Sequence, residues 1–286
     1  IFDHASTSLP NLDVLYKDGV FDKSEKNYFL NVIPKISADF HGNTKQQKDA
    51  ILQIKGFLNH KHVKPSDLWS SFATDFENLL KNPKTDISIK HDLLSLADNI
   101  MELSDEFTDK FSEQLLYSYI FQKMQTHDLE LAHCLPVISR FVLKSPQAFT
   151  NLFFHNYIGF LLEYLQHPPD QATEIALYSA LQALSDSKFF GTLNPDTVLE
   201  IATFCLNKLI PSQDHDSFLS LRAPILSSII KSFSNIFPFV AKNPEFLGRI
   251  IESGVSSLIL SLLTVENLQS LELCTDSAIH FLCQAT

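Results

Sequence analysis

Glycine is scarce in this sequence. The 286 residues include only 7 glycines, and none of them forms a Gly-x-Gly or Gly-Gly pair. Two-residue hairpin turns and phosphate-cradling loops both depend on closely spaced glycines, so the scarcity argues against a hairpin-rich β fold and against a nucleotide-binding loop. His-Glu-x-x-His, Gly-x-Ser-x-Gly and Walker-type sequences are absent as well. No motif of these kinds therefore points to an enzyme.

Long apolar runs and glycosylation signals are also missing. The longest strongly apolar run, Val255 to Val265, is far shorter than the roughly 20 residues that span a bilayer, so we expect no membrane span. No Asn-x-Ser/Thr sequon occurs, and the four cysteines are scattered through apolar helical patterns, where a free cysteine usually packs as a small hydrophobe: Cys134, Cys205, Cys274 and Cys283. We expect a cytoplasmic or nuclear location.

Basic residues are fewer than acidic residues, and the imbalance differs between the two ends of the sequence. The net charge is −11. Residues 1–90 hold 12 Lys/Arg against 11 Asp/Glu, whereas residues 91–286 hold 10 against 22. Such a balance disfavours nucleic acid and anionic lipid and favours a basic or neutral partner. We therefore expect the partner to be another protein, and we expect the later two-thirds of the chain to be the acidic part.

Apolar residues at helical spacing dominate what remains. Phenylalanine is abundant at 24 residues, which suits aromatic packing between helices. Asn-Pro and Ser-Pro pairs at 145–146, 194–195 and 243–244 are typical of a cap residue followed by proline at the first helical position. The periodicity predicts helices at 24–40, 44–59, 66–81, 86–104, 108–126, 128–144, 146–166, 171–187, 195–210, 216–240, 244–264 and 267–284.

Two blocks of the sequence resemble each other. In the first, residues 156–165 are followed by 176–184; in the second, residues 252–263 are followed by 274–282. Such self-similarity indicates stacked helical repeats. The blocks resemble the armadillo repeat, which has a short first helix, a turn glycine, a second helix and a third helix reading roughly Ala-x-x-Ala-Leu-x-Asn-Leu. Gly254 matches the turn glycine, and Asn156 can replace it because Asn also tolerates the left-handed conformation.

Segments 116–143 and 198–236 resemble further units, the second of them through Ser232-Phe233-Ser234-Asn235-Ile236. The resemblance implies an all-α fold, a right-handed α-α superhelix of the armadillo or HEAT type with about twelve helices. We expect an irregular lead-in over 1–22 and a single α-solenoid domain over 23–286, with degenerate helical units over 23–110 and clearer repeats over 111–286. One helix pair cannot bury its apolar face alone, so the units must stack and leave an extended groove.

The resemblance also implies a function. It suggests a non-catalytic scaffold or adaptor that holds an extended or helical segment of a partner protein in a concave groove, with no cofactor and no metal. The third-helix positions implied to line the groove are Arg140, Ser179, Lys231, Asn235, Ser277 and Phe281. Only Asn235 matches the family's peptide-clamping asparagine. Lys231 stands where receptors for nuclear localisation signals have a clamping tryptophan, so that activity is not expected.

Two alternatives remain open. The first is a compact helical enzyme or ligand-binding bundle with a buried small-molecule or catalytic site, for which Glu130, His133 and Cys134 are the first residues to test. We interpret these three residues as lying on one helical face, which also makes them the metal candidates. A Glu-x-x-His pair can serve a di-iron site only with a second copy, and none is present. The other alternative is a regulatory or dimerisation domain of a larger cytoskeletal or signalling protein. It fits the start of the chain without Met, from which we expect a piece of a longer protein.

Overall fold

The structure of the chain is a computed structural model. It describes residues 32–58, 65–103, 108, 119–120, 122–123, 131–210, 223–261, 276, 278–279 and 281. The predicted lead-in over 1–22 lies outside these residues, and so does most of the helices predicted at 108–126 and 267–284. The chain divides into two compact units, Ile1–Phe107 and Thr108–Thr286. The predicted single domain over 23–286 stays a prediction.

The secondary structure of the described residues is helical, with no strand among them. The first unit contains α1 (32–40), α2 (Thr44–Leu58), α3 (Pro65–Lys81) and α4 (Ile87–Leu103). The second contains α5 (Leu131–Lys144), α6 (Pro146–Phe154), α7 (Tyr157–Gln166), α8 (Gln171–Asp186), a 3₁₀ turn (Phe190–Thr192), α9 (Pro195–Leu209), α10 (Ala223–Val240), α11 (Pro244–Ser253) and α12 (Val255–Ser261). None of the helices in these described ranges is long and apolar enough to cross a membrane.

The first unit has an apolar core, with hydrogen bonds and an ion-pair contact at its edge. Helix α4 packs against both α2 and α3. Phe40 of α1 meets Phe72 of α3 edge to face, with ring centroids 5.8 Å apart. Asp75 of α3 accepts a hydrogen bond from the Ser37 hydroxyl at 2.6 Å and lies 3.2 Å from Nε2 of His41. This carboxylate therefore joins α1 to α3.

In the second unit, two helices are shorter than the periodicity predicts. The helices predicted at 146–166 and 244–264 are each divided in two, because Asn156 and Gly254 adopt the left-handed conformation with φ of 59° and 69°. A residue in that conformation cannot continue a right-handed helix. The matches of both residues to the turn position of the armadillo unit are confirmed, and the two uninterrupted helices are wrong.

The proline signals at helix starts are confirmed. Helices α6, α9 and α11 begin at Pro146, Pro195 and Pro244, where the missing amide hydrogen removes no helical hydrogen bond. The residue before each proline accepts a hydrogen bond from a first-turn amide through its side-chain oxygen: Ser145 from Ala148, Asn194 from Thr197 and Asn243 from Phe246. Local sequence therefore fixes where these helices start.

The two blocks that resemble each other in sequence also correspond in structure. We call residues 145–184 repeat A and residues 243–281 repeat B. The cap residue, the first-position proline and the left-handed residue of repeat A each have a counterpart in repeat B that lies 98 positions later in the sequence, as 254 lies 98 after 156. In repeat A, helices α6, α7 and α8 are the first, second and third helix. In repeat B, α11 and α12 are the first two.

Hydrogen bonds between side chains and neighbouring helices join successive parts of the second unit. The hydroxyl of Ser187, just after α8, donates to the carbonyl oxygen of Val142 in α5 at 2.7 Å, and this hydrogen bond is buried. Arg249 of α11 donates to the side-chain oxygen of Asn207 in α9 at 3.3 Å. A backbone carbonyl in the last turn of a helix has no partner within the helix, so Ser187 satisfies one that would otherwise be buried alone.

Candidate functional site

The third helices of the second unit pack side by side. Helix α8 packs against α5 on one side and against α10 on the other. Apolar side chains on these helices are buried, among them Leu135, Leu181 and Ile229. We call the outward side of α5, α8 and α10 the third-helix face. Four of the six residues implied to bind a partner lie on these three helices: Arg140, Ser179, Lys231 and Asn235.

A charged and hydrogen-bonded cluster occupies the third-helix face between α8 and α10. The side-chain amide of Asn235 donates to Oδ1 of Asp186, and also lies 3.3 Å from the hydroxyl oxygen of Ser185. Nζ of Lys231 lies 3.6 Å from Oδ2 of Asp186. We call Asp186, Lys231 and Asn235 the Asp186 cluster. All three side chains keep contact with solvent, so a partner can reach them.

Asp186 is the residue of this cluster that the sequence reasoning missed. It is the last residue of α8, where the partial negative charge of the helix dipole disfavours a carboxylate. The ammonium of Lys231 and the amide of Asn235 offset that unfavourable placement. An acidic residue at the end of a third helix, paired with a basic residue on the next third helix, is the signal that could have revealed the cluster.

The other implied residues have different surroundings. Arg140 is half-buried on α5, and Ser179 is exposed on α8, where its hydroxyl donates to the carbonyl of Ile175 at 2.9 Å. Ser277 lies outside the described residues. Phe281 needs a correction, because its ring is buried: it stacks on Phe233 with centroids 5.5 Å apart. Burial of an aromatic ring stabilises the folded chain, so Phe281 is part of the core and does not line a partner-binding face.

Two of the three metal candidates, His133 and Cys134, do not share a helical face. Cys134 is buried and His133 is exposed, because successive residues of a helix point about 100° apart. Glu130 lies outside the described residues. Across the residues the structure describes, no group of three His, Cys, Asp or Glu is placed to hold a metal ion. Burial raises the pKa of the Cys205 thiol to about 12, so it stays protonated at neutral pH and is a poor nucleophile.

One apolar cavity lies under α6 and α7 of repeat A. It is lined by residues that include Phe153, Tyr157, Leu184 and Leu193, and its volume is about 10 Å³. That volume holds about one water molecule and no organic ligand. The Tyr157 hydroxyl is buried there without a hydrogen-bond partner among the described residues, and its burial raises the phenol pKa above the ordinary value.

Comparison with solved structures identifies the fold. The designed armadillo repeat protein YIII(Dq)4CqI matches 89% of this chain and 100% of its own, with a TM-score of 0.61 and 12% identity. A designed armadillo repeat protein in complex with the peptide (KR)4 matches 89% of this chain and 99% of its own, with a TM-score of 0.61 and 13% identity. A set of computationally designed armadillo repeat proteins for modular peptide recognition gives a TM-score of 0.57 at 12% identity, over 86% of this chain and 99% of its own.

No family model matches the sequence, and no curated protein matches it. The likeness is therefore one of structure. It shows an all-α, armadillo-like repeat solenoid, and it confirms the fold class that the repeat pattern predicts.

Proposed function

We propose that this chain is a non-catalytic scaffold that binds a segment of another protein along its third-helix face. The Asp186 cluster carries the proposal. It brings a carboxylate, an ammonium and an amide together at one solvent-accessible point between two stacked third helices. A solved armadillo repeat protein of similar fold is in complex with a peptide, which supports a peptide or a protein segment as the ligand class.

The chemistry of the cluster suits the main chain of an extended segment. Every peptide unit offers one N–H donor and one C=O acceptor. The carboxylate of Asp186 can accept from the N–H, and Lys231 can donate to the C=O. Because the pair is partly exposed and its atoms are 3.6 Å apart, the ion pair contributes little stability, about 0–1 kcal/mol. A partner segment can therefore replace the ion pair with only a small loss of stability.

A selection experiment tests this proposal. Peptides would be selected from a random-sequence display library on the full chain, and the dissociation constant of a selected peptide measured by calorimetry. We expect the double variant Lys231→Glu/Asn235→Glu to bind it at least about tenfold more weakly, because it places two carboxylates beside Asp186. Circular dichroism would verify that the variant stays folded.

Lys208→Glu serves as the matched control. Lys208 lies on α9, with its ammonium over the ring of Phe204, and not on the third-helix face. We expect this control to bind the selected peptide as the wild type does. Equal affinity of the double variant and the wild type, or equal loss in the control, would contradict a binding site at the Asp186 cluster.

A further inference from the structure

Phe239 presents a half-exposed aromatic ring beside the Asp186 cluster. It lies on α10 one helical turn after Asn235. Residues four apart on a helix lie on the same side, with Cβ atoms about 5–6 Å from each other. The exposed fraction of Phe239 is 52%, and the preceding residue, Pro238, is exposed as well. An apolar surface therefore lies directly next to the hydrogen-bonding groups of the cluster.

The segment that follows α8 holds the ring of Phe239 in place. The ring meets the buried ring of Phe190 edge to face, with centroids 5.4 Å apart. A Cβ added to Gly191 would lie 3.2 Å from Cε1 of Phe239, so the ring rests against the backbone of the 3₁₀ turn. Gly191 is exposed and has no side chain to cover the ring. A ring that is already fixed and still half in contact with water loses little conformational entropy when a partner binds to it.

The charges nearest in sequence favour an apolar ligand for this ring over a cationic one. A cation can bind the face of an aromatic ring. Within three residues of Phe239 or of Gly191, the charged residues are Lys188 and Lys242, and both are basic and exposed. Like charges repel, so these lysines disfavour a basic side chain over the ring. An apolar side chain gains the burial of its surface without that repulsion.

We propose that Phe239 determines the specificity of the Asp186 cluster by binding an apolar side chain of the partner segment. This inference rests on the proposed function, in which the cluster holds the main chain of an extended segment. Such a segment rises about 3.3 Å per residue. The separation of about 6 Å between Asn235 and Phe239 then places the apolar side chain about two residues from the peptide unit that the cluster holds.

A double-mutant cycle with the display-selected peptide tests the proposal, with dissociation constants measured by calorimetry on the full chain. Alanine scanning of the peptide should find one apolar residue whose loss weakens binding at least about tenfold. Phe239→Ala should weaken binding of the unchanged peptide by a similar factor. The two changes together should weaken it little further, because both remove the same contact. Phe239→Leu keeps an apolar side chain and should bind within about threefold of the wild type.

Phe154→Ala is the matched control. Phe154 is exposed to 78% on α6, outside the third-helix face, and its loss should leave the affinity unchanged. Circular dichroism would verify that the variants of Phe239 stay folded. Losses that multiply in the double change, or a basic residue as the dominant position of the peptide, would overturn the proposal.

Two further outcomes separate this proposal from the proposed function. Full affinity of Phe239→Ala for a peptide that Lys231→Glu/Asn235→Glu no longer binds would overturn the role of Phe239 and leave the proposed function standing. Selected peptides that bind the double variant as tightly as the wild type would overturn both, because the cluster would then hold no segment.

Discussion

Repeats A and B show which features of the fold are local and which depend on neighbours. Both begin with a cap residue and a proline, and both turn at a left-handed residue before the second helix. One matched pair on each helix is buried in both repeats: Leu152 and Ile250, Leu161 and Ile259, and Ala180 and Ala278. They differ in exposure at other matched positions: Leu181 is fully buried and its counterpart Ile279 is half-exposed, and Tyr178 is buried where its counterpart Asp276 is exposed. Short-range sequence thus builds the repeat unit, and the surroundings of each repeat decide how much of its other surface is buried.

The largest expected effect comes from truncating one member of the pair Leu181 and Ile279. Leu181→Ala should lower the free energy of unfolding by about 3 kcal/mol, because it removes a fully buried side chain and leaves a cavity. Ile279→Ala should lower it by less than about 1 kcal/mol, because half of that side chain is already in water. Urea denaturation followed by circular dichroism measures both. Equal losses would contradict the difference in burial between the two repeats.

A smaller effect is expected at the left-handed turn of repeat B. Gly254→Ala should lower the free energy of unfolding by about 1 kcal/mol, because a side chain disfavours a φ of 69°. No atom lies within 4 Å of the position a Cβ would take, so the loss is conformational and not steric. Gly254→Asn should cost clearly less, since Asn156 already adopts this conformation in repeat A. Thermal unfolding of the two variants side by side makes the comparison, and an equal loss for Ala and Asn would contradict it.

The smallest effect, and one of opposite sign, is expected at Tyr157. Its counterpart in repeat B is Val255, which has no polar group. Tyr157→Phe removes a buried hydroxyl that has no partner among the described residues, so stability should stay unchanged or rise by up to about 1 kcal/mol. If urea denaturation instead showed that Tyr157→Phe loses more than about 1 kcal/mol of stability, the hydroxyl would have a hydrogen-bond partner.

The same substitution has a pH signature. Burial raises the pKa of Tyr157 in the folded chain, whereas an unfolded tyrosine has a pKa of about 10. Above that pH the unfolded state loses the proton that the folded state keeps, so stability falls as the pH rises. The wild type should therefore lose more stability than Tyr157→Phe between neutral pH and strongly alkaline pH. Parallel denaturation curves at both pH values measure this difference.

Much of the fold could be predicted because its signals are local. Helical periodicity, the proline starts and the tolerance of Asn156 for a left-handed turn all act within a few residues. The division of the helices predicted at 146–166 and 244–264 was missed when periodicity alone was considered, because the apolar spacing continues through the turn. The armadillo resemblance detected both turn residues.

The candidate site was less predictable because it depends on contacts between distant residues. The repeat register places Lys231 and Asn235 on a third helix. Their common partner Asp186 lies far away in the sequence, 45 positions before Lys231 (231 − 186) and 49 positions before Asn235 (235 − 186). No pattern within a helix reports that pairing. Phe281 was assigned to an accessible face by the same register, and only its stacking on Phe233 shows that it belongs to the core.

The hydrogen bond from Ser187 to the carbonyl of Val142 bears on how the second unit unfolds. It lies in a buried environment and joins the residue after one third helix to the last turn of the third helix before it. If one of these helices frayed alone, a buried carbonyl would lose its partner, at a penalty of about 1–3 kcal/mol. The two helices should therefore open together, as one cooperative unit of hydrogen exchange.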